Sequence, residues 1–564
     1  MKIYVATILI LSLSFVLCSA PDHLSPQSTL NHRNFDQLSF IHKGTPEDPI
    51  RVVFILPKDP EYKDKPTRLP IGLMSMASCL KDKMFLLVLC RSLGMDIQIE
   101  QLPEIEVSII DLQAEGPDFD LKTRLRQTNP DLIGLSAVSP LYRHAEEIAE
   151  LASTAAPEAI RVIGGVHISA LNQNPSEFNL ALKESPFHVA ILKEGEEALS
   201  ELILRIFRKE KTDNINGVVL NRDEDLIRNI SDFPKSRRKR KVLLHEYPMP
   251  AESLDLINLS NYARGFSNFE GIPYDGTVGT LLTLRGCLGN CAYCASRVIF
   301  SKLEMHSPEQ ILREIQLYAE KGVTAFNIAD DDFCVKLDRL EKLRDLLQKI
   351  KIPIQYTAMA RADWINEEMV QTLKGTGCVG IAMGVETGDF TLLKKGMHKK
   401  LKLEKVASAT RLLQQYGIQV KHFYMVGYPD QGWDSIKMTA DNIIRNPPDL
   451  INVSITVPYP GTRLYQEGGI HPVLGMDLLT SKHEPAGRKK VSEAPTFQAG
   501  TYTNVMSTEE ITLARNLLLT LFDAVKNKRN NEVDRLMFLL NELASGRWKK
   551  VTSIFSIIVL EMAA

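Results

Sequence analysis

A chain of 564 residues, 44 % apolar and 24 % charged, has the composition of a globular protein and is too long for one ordinary domain. Its formal charge of −2 supplies no field to gather a polyanion, so nucleic acid is excluded as the expected partner. Eight cysteines without even spacing do not form a disulfide framework and suit a reducing compartment.

The amino terminus runs against that compartment. Ile3 to Leu17 is nearly all apolar behind Lys2, and Cys18-Ser19-Ala20 is a small-residue end. Residues 1–20 therefore read as a signal-like or anchor segment, short for a full span. The expectation is a cytoplasmic body with membrane contact available through residues 3–17. Residues 21–48, polar and proline-bearing, read as a linker.

Residues 49–210 alternate strand and helix. Strands are predicted at Ile50 to Leu56, Glu106 to Asp111, Leu132 to Ser136, Arg161 to Gly164 and Val189 to Leu192. Helices open at Leu69-Pro70-Ile71-Gly72-Leu73 and cover Tyr142 to Ala155 and Glu196 to Phe207. Lys81 to Pro103 has no clear register and reads as an insertion carrying Cys90. Such alternation implies an α/β fold with a doubly wound, Rossmann-like parallel sheet, with its ligand at the strands' carboxyl ends. Residues 211–276 read as a connector, with a small hairpin from Gly217 to Ile230. Lys235 to Lys241 is a basic run, read as a solvated loop rather than a nucleic-acid patch.

Residues 277–465 give six βα-type units. The strands are Val278 to Leu284, Ala325 to Ala329, Ile352 to Met359, Val379 to Val385, Val420 to Val426 and Ile451 to Val457. Six units make a partial (β/α)6 barrel of the TIM type. Ser307, with Gln310 three residues on, is a capping-box helix start. Residues 466–564 read as a helical carboxyl-terminal region, with amphipathic stretches Leu513 to Val525 and Val533 to Leu543 and an apolar stretch from Ser553 to Met562.

The chemistry begins straight after the first barrel strand. Arg285-Gly286-Cys287-Leu288-Gly289-Asn290-Cys291-Ala292-Tyr293-Cys294 sets Cys287, Cys291 and Cys294 at CxxxCxxC spacing, which can hold three irons of a [4Fe–4S] cluster and leave the fourth open. Zinc would need a fourth ligand, with His306 and Cys334 the nearest, and a disulfide would leave one thiol over. With Tyr293 before the last cysteine, the loop resembles the radical SAM superfamily. So do Ala329-Asp330-Asp331-Asp332-Phe333, Gly384-Val385-Glu386-Thr387-Gly388, Met425-Val426-Gly427-Tyr428-Pro429 and Pro458-Tyr459-Pro460-Gly461-Thr462.

That resemblance implies reductive cleavage of S-adenosylmethionine (SAM) to a 5′-deoxyadenosyl radical, with an electron donor such as ferredoxin or flavodoxin. Residues at successive strand ends match the functional groups of SAM. Asp330 or Asp331 suits its amino group, Arg361 its carboxylate and Glu386 its ribose hydroxyls, with Tyr293 and Gly427 beside them. Taken singly, Asp332 reads as a turn cap and Arg361 as a surface partner of Asp363.

The amino-terminal strand ends carry Asp111-Leu112-Gln113-Ala114-Glu115-Gly116, then Ser136-Ala137-Val138, then Gly164-Gly165. These resemble the cobalamin-binding pattern DxHxxG, SxL, GG, so Asp111, Gln113, Gly116, Ser136, Gly164 and Gly165 are the cobalamin candidates. A flavodoxin-like sheet with ordinary turn glycines is the bland alternative. Gln113 stands where cobalt's lower histidine ligand would be, which implies cobalamin bound without it. Glu194-Gly195-Glu196-Glu197 and Gly164-Gly165-Val166-His167 also resemble the cobalamin-linked radical SAM group. The resemblance implies methyl transfer to an unactivated carbon of a small molecule or lipid. Radical cyclisation or oxidation of the porphyrin-cyclase kind and a non-catalytic cobalamin sensor are the alternatives. No residue is assigned as catalytic.

Overall fold

The computed structural model describes residues 43–58, 64–222, 226–228, 242–267, 269–300, 302–472 and 501–546. The apolar amino terminus, most of the linker, the basic run at 235–241 and the apolar stretch at 553–562 lie outside the described residues.

The first layer follows the buried runs of the sequence. In chain order it is β1 (Ile50–Leu56), α1 (Ile71–Lys81), α2 (Lys83–Ser92), β2 (Ile105–Asp111), α3 (Leu121–Thr128), β3 (Leu132–Ser136), α4 (Tyr142–Ala155), β4 (Ile160–Gly164), α5 (Val166–Leu171), α6 (Pro175–Lys183), β5 (Val189–Ile191), α7 (Glu196–Phe207), β6 (Val218–Asn221) and β7 (Leu226–Arg228). The sheet order is β2-β1-β3-β4-β5-β6-β7. Strands β1 to β5 pair in parallel and the last two antiparallel. Strand order reverses between β1 and β3, the place where doubly wound sheets open a crevice at their carboxyl ends.

Two expectations change here. Residues 81–103 are not an insertion without register. Asp82 caps α2 by accepting from Met84 N and Phe85 N, and Phe85, Leu89 and Cys90 pack in a cluster with Val242 and Tyr247 of the connector. The hairpin expected between Gly217 to Leu220 and Leu226 to Ile230 does form, β6 pairing antiparallel with β7, but it belongs to the edge of the main sheet rather than to the connector.

The second layer holds β8 (Val278–Leu281), β9 (Leu284–Arg285), α8 (Ser296–Ile299), β10 (Glu304–Met305), α9 (Pro308–Glu320), β11 (Ala325–Ile328), α10 (Leu337–Ile350), β12 (Gln355–Ala360), α11 (Glu367–Gly375), β13 (Cys378–Glu386), α12 (Leu403–Gln415), β14 (Gln419–Val426), α13 (Trp433–Arg445) and β15 (Leu450–Ile455). Six parallel strands in the order β15-β14-β13-β12-β11-β8 make an open barrel. The strand expected from Val278 to Leu284 ends at Leu281. Leu284 and Arg285 instead pair antiparallel with Met305 and Glu304, so the cysteine loop is the excursion of a hairpin. The capping box is present: Gln310 N donates to Ser307 Oγ at 3.2 Å and Ser307 N to Gln310 Oε1 at 3.0 Å.

The floor of the barrel is plugged by the connector. Phe266 and Phe269 pack with Val278, Ala325 and Ala382, and Gly380 leaves room for the Phe269 ring, which a Cβ would meet at 2.8 Å. Only the mouth, at the strands' carboxyl ends, stays open for chemistry. The far edge is closed by the carboxyl-terminal region: α14 (Arg463–Glu467), β16 (Ile470–Pro472), β17 (Thr501–Thr503), α15 (Thr508–Lys526) and α16 (Asn530–Ala544). Arg515 of α15 donates from Nε to Val453 O of edge strand β15, satisfying a carbonyl that an exposed edge would leave open.

One buried apolar cluster joins the layers. It runs from Leu73 and Ala77 of α1 and Leu199 and Leu202 of α7, through Ala251 and Leu254, to Ile311 and Ile315 of α9. Ser78 Oγ and Ser253 Oγ share a hydrogen bond of 2.8 Å in this seam.

Candidate active site

The cysteine loop is held by glycines and by backbone pairing. Gly286 has φ +86°, and a Cβ there would strike Lys302 O. Gly289 lies inside the curl of the loop, where a Cβ would sit 3.3 Å from Cys287 Sγ, 3.8 Å from Cys291 Sγ and 3.5 Å from Arg361 Nη1. Gly289 N donates to Cys287 Sγ at 3.2 Å. Further along, Ala292 N donates to Met397 O and Leu464 N to Ala292 O, each at 2.9 Å. Burial pushes the Cys287 thiol up, and pushes Cys294 to about 11. These thiols therefore ionise on taking a metal, as cluster ligands do. Among the described residues no three His, Cys, Asp or Glu side chains converge on one ion.

Around the mouth, the three aspartates separate in role. Asp330 is fully buried. Its Oδ1 accepts from Thr283 N at 2.6 Å and Leu284 N at 3.0 Å, and its Oδ2 accepts from Thr283 Oγ1. Burial pushes its carboxyl to about 6. It braces the turn between β8 and β9. Asp332 accepts from Arg361 N at 3.1 Å and Trp364 Nε1 at 2.7 Å, and burial pushes it, too, to about 6. It fixes the start of the Arg361 turn. Asp331 instead accepts from Ser296 Oγ at the end of the cysteine loop.

Arg361 does pair with Asp363, through Nη2 at 2.6 Å and Nε at 3.1 Å, and Nη1 remains beside Gly289. Gly427, at φ +76°, packs against Ile511 of α15, which a Cβ would meet at 3.0 Å.

Glu386 sits at the end of β13, where the register with β14 slips between Gly384 and Glu386. Its φ of +70° is left-handed, costly for a residue with a side chain and therefore a pointer to function. Glu386 Oε1 accepts from Tyr293 OH at 2.9 Å and from Lys399 Nζ at 2.7 Å. Lys399 was not a sequence candidate. Gly384 makes room for it, since a Cβ there would lie 2.7 Å from Lys399 Nζ.

At the crevice of the amino-terminal sheet, Gly165 has φ +100°, and a Cβ would lie 2.7 Å from Ala137 O, 2.9 Å from Ala137 N and 3.0 Å from Ser136 Oγ. Only glycine fits, because its backbone lies tight against the Ser136–Ala137 turn after β3. Gly164 and Gly116 are roomier. Asp111 is buried. Its Oδ1 accepts from Gln113 N at 3.1 Å, and its Oδ2 from Tyr262 OH of the connector at 3.0 Å, a partner invisible in sequence. Gln113 Nε2 donates to Asp64 O at 2.8 Å, tying the loop after β2 to the loop after β1.

The family described as "Radical SAM superfamily" matches residues 281–443, and "B12 binding domain" matches residues 67–203. The chain belongs to the radical SAM superfamily and carries a B12-binding domain. Relatives of this radical SAM chain include an uncharacterised methyltransferase of Pyrococcus horikoshii, 26 % identical over 64 % of this chain and 75 % of its own length. They also include an anaerobic magnesium-protoporphyrin IX monomethyl ester cyclase of Cereibacter sphaeroides (26 %; 62 % and 54 %) and a hopanoid C-3 methylase of Methylococcus capsulatus (24 %; 66 % and 67 %). Among solved structures, the radical SAM methyltransferase TsrM of Kitasatospora setae superposes with a TM-score of 0.55 at 17 % identity, covering 75 % of this chain and 77 % of that one. OxsB, a cobalamin-dependent SAM radical enzyme, superposes at 0.61 and 18 %, covering 92 % and 76 %. At these identities the likeness is one of fold: doubly wound domain, partial barrel and helical end.

The residues of this radical SAM chain fit the groups its family implies. Cys287 and Cys291 are half-buried thiols around the Gly289 curl, and Cys294 lies exposed at the end of the same loop. The Gly164-Gly165 turn lies against the Ser136–Ala137 turn at the strands' carboxyl ends, and Gln113, bonded to Asp64 O, stands in the loop after β2. Among the described residues no helix is long and apolar enough to cross a membrane.

Proposed function

We propose that this protein is a cobalamin-dependent radical SAM methyltransferase acting on an unactivated carbon of a small molecule or lipid. The observation that carries it is the convergence of Cys287, Cys291 and Arg361 on one point at Gly289, with the Gly165 cradle in the same chain. When bound, the cluster supplies the electron that cleaves SAM, and the corrinoid supplies a methyl carrier.

The chain's own residues then bind and orient. Arg361, whose Nε and Nη2 are held by Asp363, offers its remaining Nη1, facing the loop, to the SAM carboxylate. Asp331, beside Ser296, is the better placed carboxylate for the SAM amino group, because Asp330 and Asp332 are engaged in the barrel wall. Glu386, held by Lys399 and Tyr293, presents its other oxygen towards the ribose hydroxyls. The Phe266–Phe269 plug seals the floor against water. The relatives named as methyltransferases support methyl transfer. The cyclases among them keep ring formation as the second reading, on the same site. An electron donor of the ferredoxin or flavodoxin kind remains part of the proposal.

The test is anaerobic reconstitution of residues 48–564 with iron and sulfide, with and without hydroxocobalamin, followed by reduction with SAM. Retained corrinoid, about four irons per chain and 5′-deoxyadenosine or S-adenosylhomocysteine formation support the reading. A cluster with no retained corrinoid removes methyl transfer through cobalt. Cys287→Ala is expected to lose cluster and SAM cleavage together.

A further inference from the structure

Arg285, the last residue before the cysteine loop, sends its side chain out of the barrel and into the B12-binding domain. Nη1 donates to Glu194 Oε1 at 2.8 Å, and Nη2 lies 2.8 Å from Glu196 Oε1. The side chains of Arg285, Glu196 and Glu194 are 6, 7 and 17 % exposed. Ser75 Oγ of α1 donates to the same Glu196 oxygen at 2.8 Å, and the Tyr247 ring lies 5.7 Å from the Arg285 guanidinium carbon. Tyr247 OH in turn donates to Glu197 Oε1 at 2.9 Å. All three glutamates of the Glu194-Gly195-Glu196-Glu197 turn therefore belong to this joint between domains.

The joint continues in both directions. Lys193, beside Glu194, has φ +63° and donates from its backbone N to Ser169 Oγ at 2.8 Å. Ser169 Oγ donates to Gly165 O at 2.7 Å, and Gly165 is the glycine whose backbone forms the corrinoid cradle. On the other side, Arg285 is pinned in its hairpin against Glu304, and Gly286 packs against Lys302 and Phe300 before Cys287. A path of polar contacts and adjoining backbone thus runs from Gly165 to Ser169, on to Lys193 and its neighbour Glu194, across to Arg285, and along the chain to Cys287.

We propose that Arg285 is a positioning residue that couples the corrinoid cradle to the cluster loop, so that occupancy of the B12-binding domain orders the cysteine loop for SAM. The alternative, a purely local brace, would stabilise the seam without transmitting anything along it. A guanidinium suits the coupling because it bridges two carboxylates at once in a fixed plane, which a lysine ammonium does not. Coupling of this kind needs a physical path, and contiguity alone does not demonstrate it. The experiment therefore perturbs one end and reads the other.

Hydrogen exchange is measured anaerobically on the cluster-reconstituted chain, following peptides spanning 284–299, with and without hydroxocobalamin. This rests on the proposed corrinoid reading. In the native protein, hydroxocobalamin is expected to slow exchange in 284–299 by about tenfold, the equivalent of one charge-assisted hydrogen bond. Ser169→Ala, Glu194→Gln and Arg285→Lys should retain iron and corrinoid but lose that slowing. The coupling is overturned if Ser169→Ala and Glu194→Gln bind hydroxocobalamin and still slow exchange in 284–299 as the native protein does.

A native protein that retains no hydroxocobalamin overturns the corrinoid reading instead. The joint is then judged without it. Glu194→Gln, altered only in the B12-binding domain, must speed exchange in 284–299 by about tenfold. Loosening confined to residues 190–200 overturns it.

Discussion

Lys399 Nζ lies 2.7 Å from Glu386 Oε1, and both side chains are only 8 % exposed at the mouth of the barrel. Removing one partner of such a pair leaves the other charge buried and uncompensated. Lys399→Met is expected to cost about 3–5 kcal/mol of stability, seen as a lower urea midpoint. The double variant Lys399→Met/Glu386→Gln should recover most of the loss. An unchanged midpoint in the single variant would show that the pair contributes nothing.

Gly165 has no room for a side chain. Gly165→Ala forces a left-handed alanine, a strain of about 1–3 kcal/mol, against Ala137 backbone atoms. The expected outcome is loss of hydroxocobalamin on desalting with iron content unchanged. Gly164→Ala, whose Cβ would meet nothing nearer than 3.7 Å, is the control that should keep the fold unstrained. Equal corrinoid retention by Gly165→Ala and the native chain would contradict this.

Arg361 holds a fork between Asp363 and the cysteine loop. Arg361→Lys preserves charge but not the paired donors, and SAM affinity should fall about tenfold or more. The reading is the SAM-induced change in the electron paramagnetic resonance spectrum of the reduced cluster, titrated in both proteins. Identical titrations would place the SAM carboxylate elsewhere.

Glu314 of α9 is buried at 1 % exposure with no ion-pair partner among the described residues, and burial, only partly offset by the Ala251 backbone N–H, pushes it to about 8. The folded state therefore holds its proton more tightly than the unfolded chain, whose carboxyl titrates near 4.5. Below that value the group costs nothing. Between about 4.5 and 8 the penalty grows by roughly 1.4 kcal/mol per pH unit, then levels off. Glu314→Gln removes it, so the variant's stability advantage in urea should widen from pH 5.5 to pH 8.5. An advantage that is flat with pH would mean that Glu314 is ionised in the fold.

What sequence could show was set by the range of each interaction. The order of strands and helices and the capping box of Ser307 and Gln310 depend on neighbours a few residues apart, and these are where expectation and structure agree. Lys399 was hidden because Lys394 to Lys402 is a lysine-rich stretch that looks solvated, and nothing local marks one lysine as folded inward. Asp330 and Asp331 are adjacent in sequence and equivalent on paper. Only the β8–β9 turn, which donates to Asp330, separates the brace from the carboxylate that reaches Ser296 of the cysteine loop. The strand expected to run through to Leu284 broke at Leu281 because its last residues found a better partner in Glu304 and Met305, twenty residues on.

The cysteine loop is gripped by Met397 and Leu464, which follow it by more than a hundred residues, at Ala292 N and Ala292 O. During synthesis, the three thiols therefore emerge long before the backbone that shapes them. A chain stopped short of Leu464 would display the whole CxxxCxxC sequence without its grip, and it should take up iron loosely and lose it on gel filtration. On the proposed cluster reading, metallation is expected to be a late event, gated by α14 beyond the last barrel strand, and a damaged carboxyl-terminal third should present in cells as a failure of iron–sulfur maturation.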